Sequence, residues 1–476
     1  MSSLSGLFFS PQQSTWFGLR WVKACFPIRN GVLFLLIGLA GLLQLVLPLW
    51  VSAAESVTAV ARPGVMVGPV NPFSDIHLTR DCNSKTLNQI FQFDSLPLGN
   101  RLPVILMPGR AEEFQKDAWW KRFNRQAHRD KYFTRHYKLY VFLYNSKGEL
   151  DEQASSMARQ IKHFFGALNP SQPLTLITYS LGGVIARDIL KDKSILNQVE
   201  TIYAVAVPFH GTPIFDPAWF TEYLNPPNHS PIRRGWDKLF YQVYMFDKSN
   251  LRRDLQWDNF DHSAPQFNRR EGFHIRGDQM SVEFSSMPEY ANADEMRRKM
   301  VVYASYLDNP FTGTTRHRDN TPMKTPYYMN HSKLVAFLGT FLPMYGLTVH
   351  NIMEYYNYQL ANLSTYTVED PQGFNSHLYR FNDGVIPLSS MLFLTPNVSP
   401  QSEDPETMIE ESQNKANIQS VRLFRNLDHV DMGEYHFMRH KIRRYDILHP
   451  SEGIHTPNHW LLHDMDKHYA DQYVSP

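Results

Sequence analysis

"TLITYSLGGV", residues 175–184, is the stretch on which the reading of this chain turns. Apolar and β-branched residues run up to Tyr179 and Ser180, and Gly182 and Gly183 follow at once. A strand that turns directly into a helix lifts the intervening hydroxyl out of the sheet. It also sets that hydroxyl at the positive end of the helix dipole, where negative charge developing in acyl transfer is favoured. Small residues allow so tight a turn. A helix that merely begins near a serine N-cap gives the same local pattern, so Ser180 as candidate nucleophile depends on its surroundings.

Working outward, "LPVILMPG" (102–109) and "YKLYVFLYN" (137–145) read as strands, the first stopped by Pro108 and Gly109. Between Asp151 and Leu168, Ala154, Met157, Ala158, Ile161, Phe164, Phe165 and Leu168 recur at helical spacing, which predicts one buried helix face. "PLTLIT" (173–178) is a strand, a helix is expected from about Leu181 to Asp192, and "TIYAVAVP" (201–208) is a strand again. Alternation of strand and helix at these lengths implies a parallel sheet covered on both faces, an α/β fold.

Beyond Pro213 the alternation stops. Residues 214–298 are aromatic and irregular, "KMVVYASYLDN" (299–309) reads as a core strand, and a second irregular stretch fills 309–380. A polar, acidic loop is expected at 399–415, a last strand at "VRLFRNL" (421–427), and a final helix at "HWLLHDMDKHYADQY" (459–473). The expected organisation is a segment 1–54, a linker and extension 55–100, and one domain 101–476 interrupted by insertions at 214–298 and 309–380.

The 476 residues, 43% hydrophobic and 20% charged, suffice for one large core. In residues 1–54, Arg20, Lys23 and Arg29 precede the uncharged run "GVLFLLIGLAGLLQLVLPLW" (31–50), and the small residues of "VSAAES" follow Pro48. That order fits an export signal cut near Ala53 or Ala54; an uncleaved membrane anchor is the competing reading. Removal of its three basic residues takes Lys+Arg from 47 to 44 against 46 Asp+Glu, a net charge of −2, and nothing suggests nucleic-acid binding. Of the two cysteines, Cys25 lies in the removed segment, which leaves Cys82 without an intrachain partner.

A serine nucleophile needs an oxyanion hole, then an acid and a base in that chain order, each expected at the carboxyl end of a later strand. The backbone N–H of Leu181 is one candidate donor, and that of Arg110, in the loop after "VILMPG", is the other. "FNDGVIPLSS" (381–390) offers Asp383 before a glycine turn, and "FRNLDHVDM" (424–432) offers His429 directly after the last strand. Asp428 and Asp431 are alternative acids. An Asn-Asp-Gly turn is common in its own right, and His429 is one of 20 histidines. His210, just past a strand next to the turn, is read as structural. His459 and His463 share a helix face as zinc ligands do, but "HWLLH" lacks the glutamate that a zinc hydrolase needs as its base.

The set "TYSLGG", "AVPFHGTP", "NDGVIPLSS" and "LDHVDM", in this order, resembles the secreted bacterial triacylglycerol lipases and esterases of the α/β-hydrolase superfamily. Two positions depart from their pattern: Thr178 stands where glycine is usual, and Pro108-Gly109 where His-Gly is usual. The resemblance covers about 102–213, 299–308 and 381–432. It implies an α/β-hydrolase fold with a cap or lid made by the insertions, and carboxylic ester hydrolysis by Ser180, Asp383 and His429. It implies a lipid or other apolar ester substrate and transient contact with a lipid surface, with no cofactor required by the chemistry. It also suggests a structural calcium near Asp431. A phospholipid-directed acyl hydrolase or acyltransferase would use the same three residues, and a non-catalytic, membrane-tethered binding protein on this fold is the alternative from another class.

Overall fold

The computed structural model describes residues 87–110, 112, 118–146, 148–166, 168, 172–215, 292–308, 380–393, 404–434 and 456–474, with scattered positions at 231, 255, 320, 322–323, 353–354, 356–358 and 360–361. Residues 1–54, expected to be an export signal, both cysteines and most of the two stretches expected to be insertions lie outside the described residues.

Seven strands form one sheet: β1 (Gln89–Gln92), β2 (Leu102–Met107), β3 (Tyr137–Leu143), β4 (Leu174–Tyr179), β5 (Val199–Val205), β6 (Met300–Tyr306) and β7 (Ser420–Arg425). Their order is β1-β3-β2-β4-β5-β6-β7, with β1 antiparallel to β3 and every other pair parallel. β2, β3, β4 and β6 are buried along their whole length, as expected of strands covered on both faces. The chain runs from β2 to β3 on one side and then crosses to β4 on the other. The carboxyl ends of β2 and β4 therefore mark the topological switch point, the place where open α/β sheets bind ligands.

Helices α1 (Trp119–Ala127) and α2 (Lys131–His136) connect β2 to β3. Trp119, Trp120, Phe123 and Ala127 of α1 are buried, and Asp130 caps α2 by accepting from the N–H groups of Tyr132 and Phe133. In α3 (Leu150–Phe165) the buried residues Leu150, Gln153, Ala154, Met157, Ile161 and Phe165 form the stripe anticipated from spacing, while Ala158, Phe164 and Leu168 pack at its margin. Asp151 and Glu152 at its start and Lys162 and His163 at its end complement the helix dipole. The helix after β4, α4 (Leu181–Ile189), stops before Asp192, which instead caps α5 (Lys193–Gln198). Later helices are α6 (Ala293–Arg298), α7 (Leu388–Met391), α8 (Pro405–Ala416), α9 (His429–Met432) and α10 (Pro457–Tyr469).

Three findings correct the sequence reading. The stretch 55–100, read as linker and extension, contributes the edge strand β1; its four residues carry little apolar pattern, and pairing with β3 defines it. The polar segment at 399–415 is no loop over 405–416 but α8, started by the Asp404 side chain on the Thr407 N–H and by Pro405 in the first turn, with Met408 and Ile409 buried. Asp383 ends no strand. Its segment returns to the carboxyl end of β6, where the Leu307 N–H donates to the Asn382 carbonyl at 2.9 Å, and a single bridge joins Asn382 to Pro387.

Candidate active site

The opening stretch owes its shape to steric fit. Ser180 sits at φ 50° and ψ −122°, a left-handed backbone that an L-residue adopts only when its surroundings impose it. They do so here. A Cβ on Gly182 would lie 2.2 Å from the Met107 carbonyl oxygen, and one on Gly183 would lie 2.3 Å from both Val207 methyls. Helix α4 thus runs too close to the ends of β2 and β5 for any larger residue. The Ser180 N–H donates to the Val205 carbonyl at 2.9 Å, fixing the turn to β5. Thr178, where glycine is usual, is accommodated: it is fully buried and its hydroxyl donates to the Tyr203 carbonyl at 3.3 Å.

The N-cap alternative fails on geometry, since the Ser180 side chain makes no capping bond to α4. Its Oγ lies 2.9 Å from His429 Nε2, and His429 Nδ1 lies 2.8 Å from Asp383 Oδ2. Asp383 is fully buried, whereas the His429 side chain keeps 13% exposure, enough to meet water or substrate. Asp383 Oδ1 accepts from the N–H groups of Val385 and Ile386 at 2.9 and 2.7 Å, so Oδ2 alone faces the imidazole. The His429 N–H donates to the Asp383 carbonyl at 3.0 Å, joining the two loops a second time.

The other candidates are placed as follows. Asp428 and Asp431, the alternative acids, form the reciprocal capping box of α9: the Asp428 side chain accepts from the Asp431 N–H at 2.8 Å and the Asp431 side chain from the Asp428 N–H at 3.2 Å. His210 is buried against Phe393 with its backbone N–H on Ser390 Oγ at 3.0 Å, and Ser390 Oγ donates in turn to the Gly211 carbonyl at 2.8 Å. Thr212 Oγ1 also donates to the Val385 carbonyl. The "AVPFHGTP" and "NDGVIPLSS" segments therefore brace one another, and His210 stands in that brace. His459 and His463 are exposed on α10. Among the described residues no cluster of three or more His, Cys, Asp or Glu side chains is arranged to hold a metal ion.

The Leu181 N–H opens α4 and belongs to the helical donors that have no partner within the helix. The loop after β2 comes up beside it: a Cβ on Gly109 would lie 3.3 Å from the Ser180 Cβ. Sequence reasoning missed Glu112, which is buried and holds that loop, accepting from the Gly109 N–H at 3.0 Å and the Trp119 N–H at 2.9 Å. It also missed Asp308, which accepts from Asn426 Nδ2 at 3.1 Å and pairs with Arg425 three residues before Asp428. Its position just past β6, at the sheet end that carries the site, was the available signal.

No protein-family model and no curated protein matches the sequence. Among solved structures, the mature form of the Bacillus licheniformis lipase BlEst2 is similar at 19% identity and a TM-score of 0.22, over 35% of this chain and 69% of that one. The propeptide form of the same lipase is similar at 15% identity and a TM-score of 0.27, over 47% and 40%. The metagenomic carboxyl esterase MGS0156 is similar at 15% identity and a TM-score of 0.20, over 41% and 68%. Each match covers less than half of this chain.

Proposed function

We propose that this chain is an α/β-hydrolase that cleaves carboxylic esters through an acyl-enzyme, with acylglycerols or similar lipid esters as substrates. The observation that carries the reading is the unbroken contact from Ser180 Oγ through the His429 ring to Asp383 Oδ2. In this mechanism Ser180 Oγ attacks the ester carbonyl carbon while His429 Nε2 takes the hydroxyl proton. Asp383 keeps Nδ1 protonated and turned toward it, which leaves Nε2 as the acceptor. The oxyanion of the tetrahedral intermediate lies between the N–H groups of Leu181 and Arg110 at the positive end of α4. Its collapse breaks the bond to the alcohol, which leaves with the proton from Nε2. Water then attacks the acyl carbon, gives its proton to Nε2, and the proton returns to Ser180 as the carboxylic acid departs.

The same reading takes the basic residues, the apolar run 31–50 and the small residues after Pro48 as support for export from the cytoplasm. Its lipid preference is supported by the aromatic and apolar composition of the stretch after Pro213. The test is labelling by a fluorophosphonate together with hydrolysis of a short-chain and a long-chain acyl ester. Ser180→Ala should abolish labelling and lower hydrolysis by about 10⁴- to 10⁶-fold while the protein stays folded. Normal turnover by that variant would overturn the proposal.

A further inference from the structure

Tyr179 directly precedes the candidate nucleophile, is buried, and is used by no step of the mechanism above. Its ring has three neighbours that matter. On one side it stacks on the His429 imidazole, centroids 5.5 Å apart and planes 19° from parallel. On another it lies against the oxyanion loop, where a Cβ on Gly109 would meet its Cδ1 at 2.9 Å and its Cε1 at 3.0 Å. Trp119 of α1 backs it at 5.5 Å. The hydroxyl donates to the backbone carbonyl of His429 at 2.8 Å. Burial first, then the carboxylates of Glu112 and Asp383, hold the phenol well above its usual range, so it remains a donor.

We propose that Tyr179 is a positioning residue that fixes the His429 ring and sets it in register with the oxyanion loop. The inference rests on the hydrolase reading above. His429 opens a helix of four residues, too short to hold its own first residue rigidly. Two polar ties from outside the helix reach its backbone, from Asp383 through the His429 N–H and from Tyr179 through the carbonyl. The ring stack packs the phenol against the imidazole. Because the same ring rests on Gly109, a shift of the oxyanion loop is transmitted to the base.

The test compares Tyr179→Phe with wild type in the full chain, using p-nitrophenyl butyrate. Loss of the donor should lower kcat by about ten- to a hundredfold and leave KM within about twofold, since a base displaced by a fraction of an ångström affects chemistry and not binding. In a His429→Ala background the same substitution should change residual hydrolysis by less than about twofold, because a residue that acts through the base has nothing left to position. A merely structural role would lower activity equally in both backgrounds, and that result overturns the proposal.

Replacement of Tyr179 by 4-aminophenylalanine or by 4-methylphenylalanine supplies two side chains of nearly the same shape, one with a donor and one without. The amino form should stay within about threefold of wild type and the methyl form should behave like Tyr179→Phe. Equal activity of the two overturns the donor role even if Tyr179→Phe does not fold. A wild-type chain inert to ester and fluorophosphonate alike overturns both proposals. An active wild type with Tyr179→Phe unchanged overturns this one alone.

Discussion

Ser180 and Asp383 meet the same histidine from mounts of opposite kinds. The serine is held by shape: a left-handed backbone, two glycines pressed against Met107 and Val207, and a strand buried on both faces. The aspartate is held by polar contacts in a segment with no strand of its own. Its carboxylate and carbonyl accept from Val385, Ile386 and His429, while Asn357 Nδ2 donates to the carbonyl and side-chain oxygen of Asn382 at 2.9 and 3.0 Å. A mount of the first kind tolerates loss of a polar group and resists added volume. A mount of the second kind tolerates volume at its margin and fails when a donor or acceptor is removed.

The largest effect expected from this contrast is that of Asp383→Asn. Its amide keeps the volume but presents the wrong group to Nδ1 and favours the wrong tautomer, so kcat should fall by about 10⁴-fold with the melting temperature little changed. A loss below tenfold would mean that another carboxylate serves His429. Gly182→Ala is the matching probe of the serine's mount. The added methyl group meets the Met107 carbonyl at 2.2 Å, so α4 must shift, which costs about 1–3 kcal/mol by denaturant titration and about a hundredfold in kcat. Asn357→Ala removes two hydrogen bonds to Asn382, whose carbonyl keeps the Leu307 N–H and whose side-chain oxygen keeps the Gly384 N–H, with about 1–3 kcal/mol lost and kcat reduced by less than in the glycine variant. Thr178→Val should be mildest. It deletes the hydroxyl on Tyr203 within a snugly shaped strand, at about 0.5–1.5 kcal/mol with turnover unchanged. If Thr178→Val proves more damaging to turnover than Asn357→Ala, the contrast between the two mounts is wrong.

The same contrast explains what was legible in the sequence. Strands β2 to β6 announce themselves because burial on both faces writes a continuous apolar run, and the turn at Ser180 because close approach demands glycines. Asp383 and His429 are visible through short motifs whose donors and acceptors lie within a few residues. Strand β1 is hidden because "QIFQ" (89–92) needs β3 to define it. Helix α1 carries Trp119, Trp120, Phe123 and Ala127 on one face, a helical spacing that the sequence displays. Glu112 and the positioning role of Tyr179 had no such signal, and Asp308 had only its place just past β6. Each acts through contacts between segments whose meeting is set by the strand order, and a lone acid in a loop or one tyrosine at a strand end leaves no period to detect.

The hydrogen bond between Leu307 and Asn382 has an implication for how such a chain can change. It brings the two ends of the stretch 308–381 together beside β6 whatever the length between them. For a loop closed in that way, doubling the number of residues adds only about 0.6 kcal/mol of closure entropy. The position behaves as a socket. Segments of different size can be exchanged between Leu307 and Asn382 at little cost to the fold, while Asp383 keeps the same hydrogen bonds beside His429.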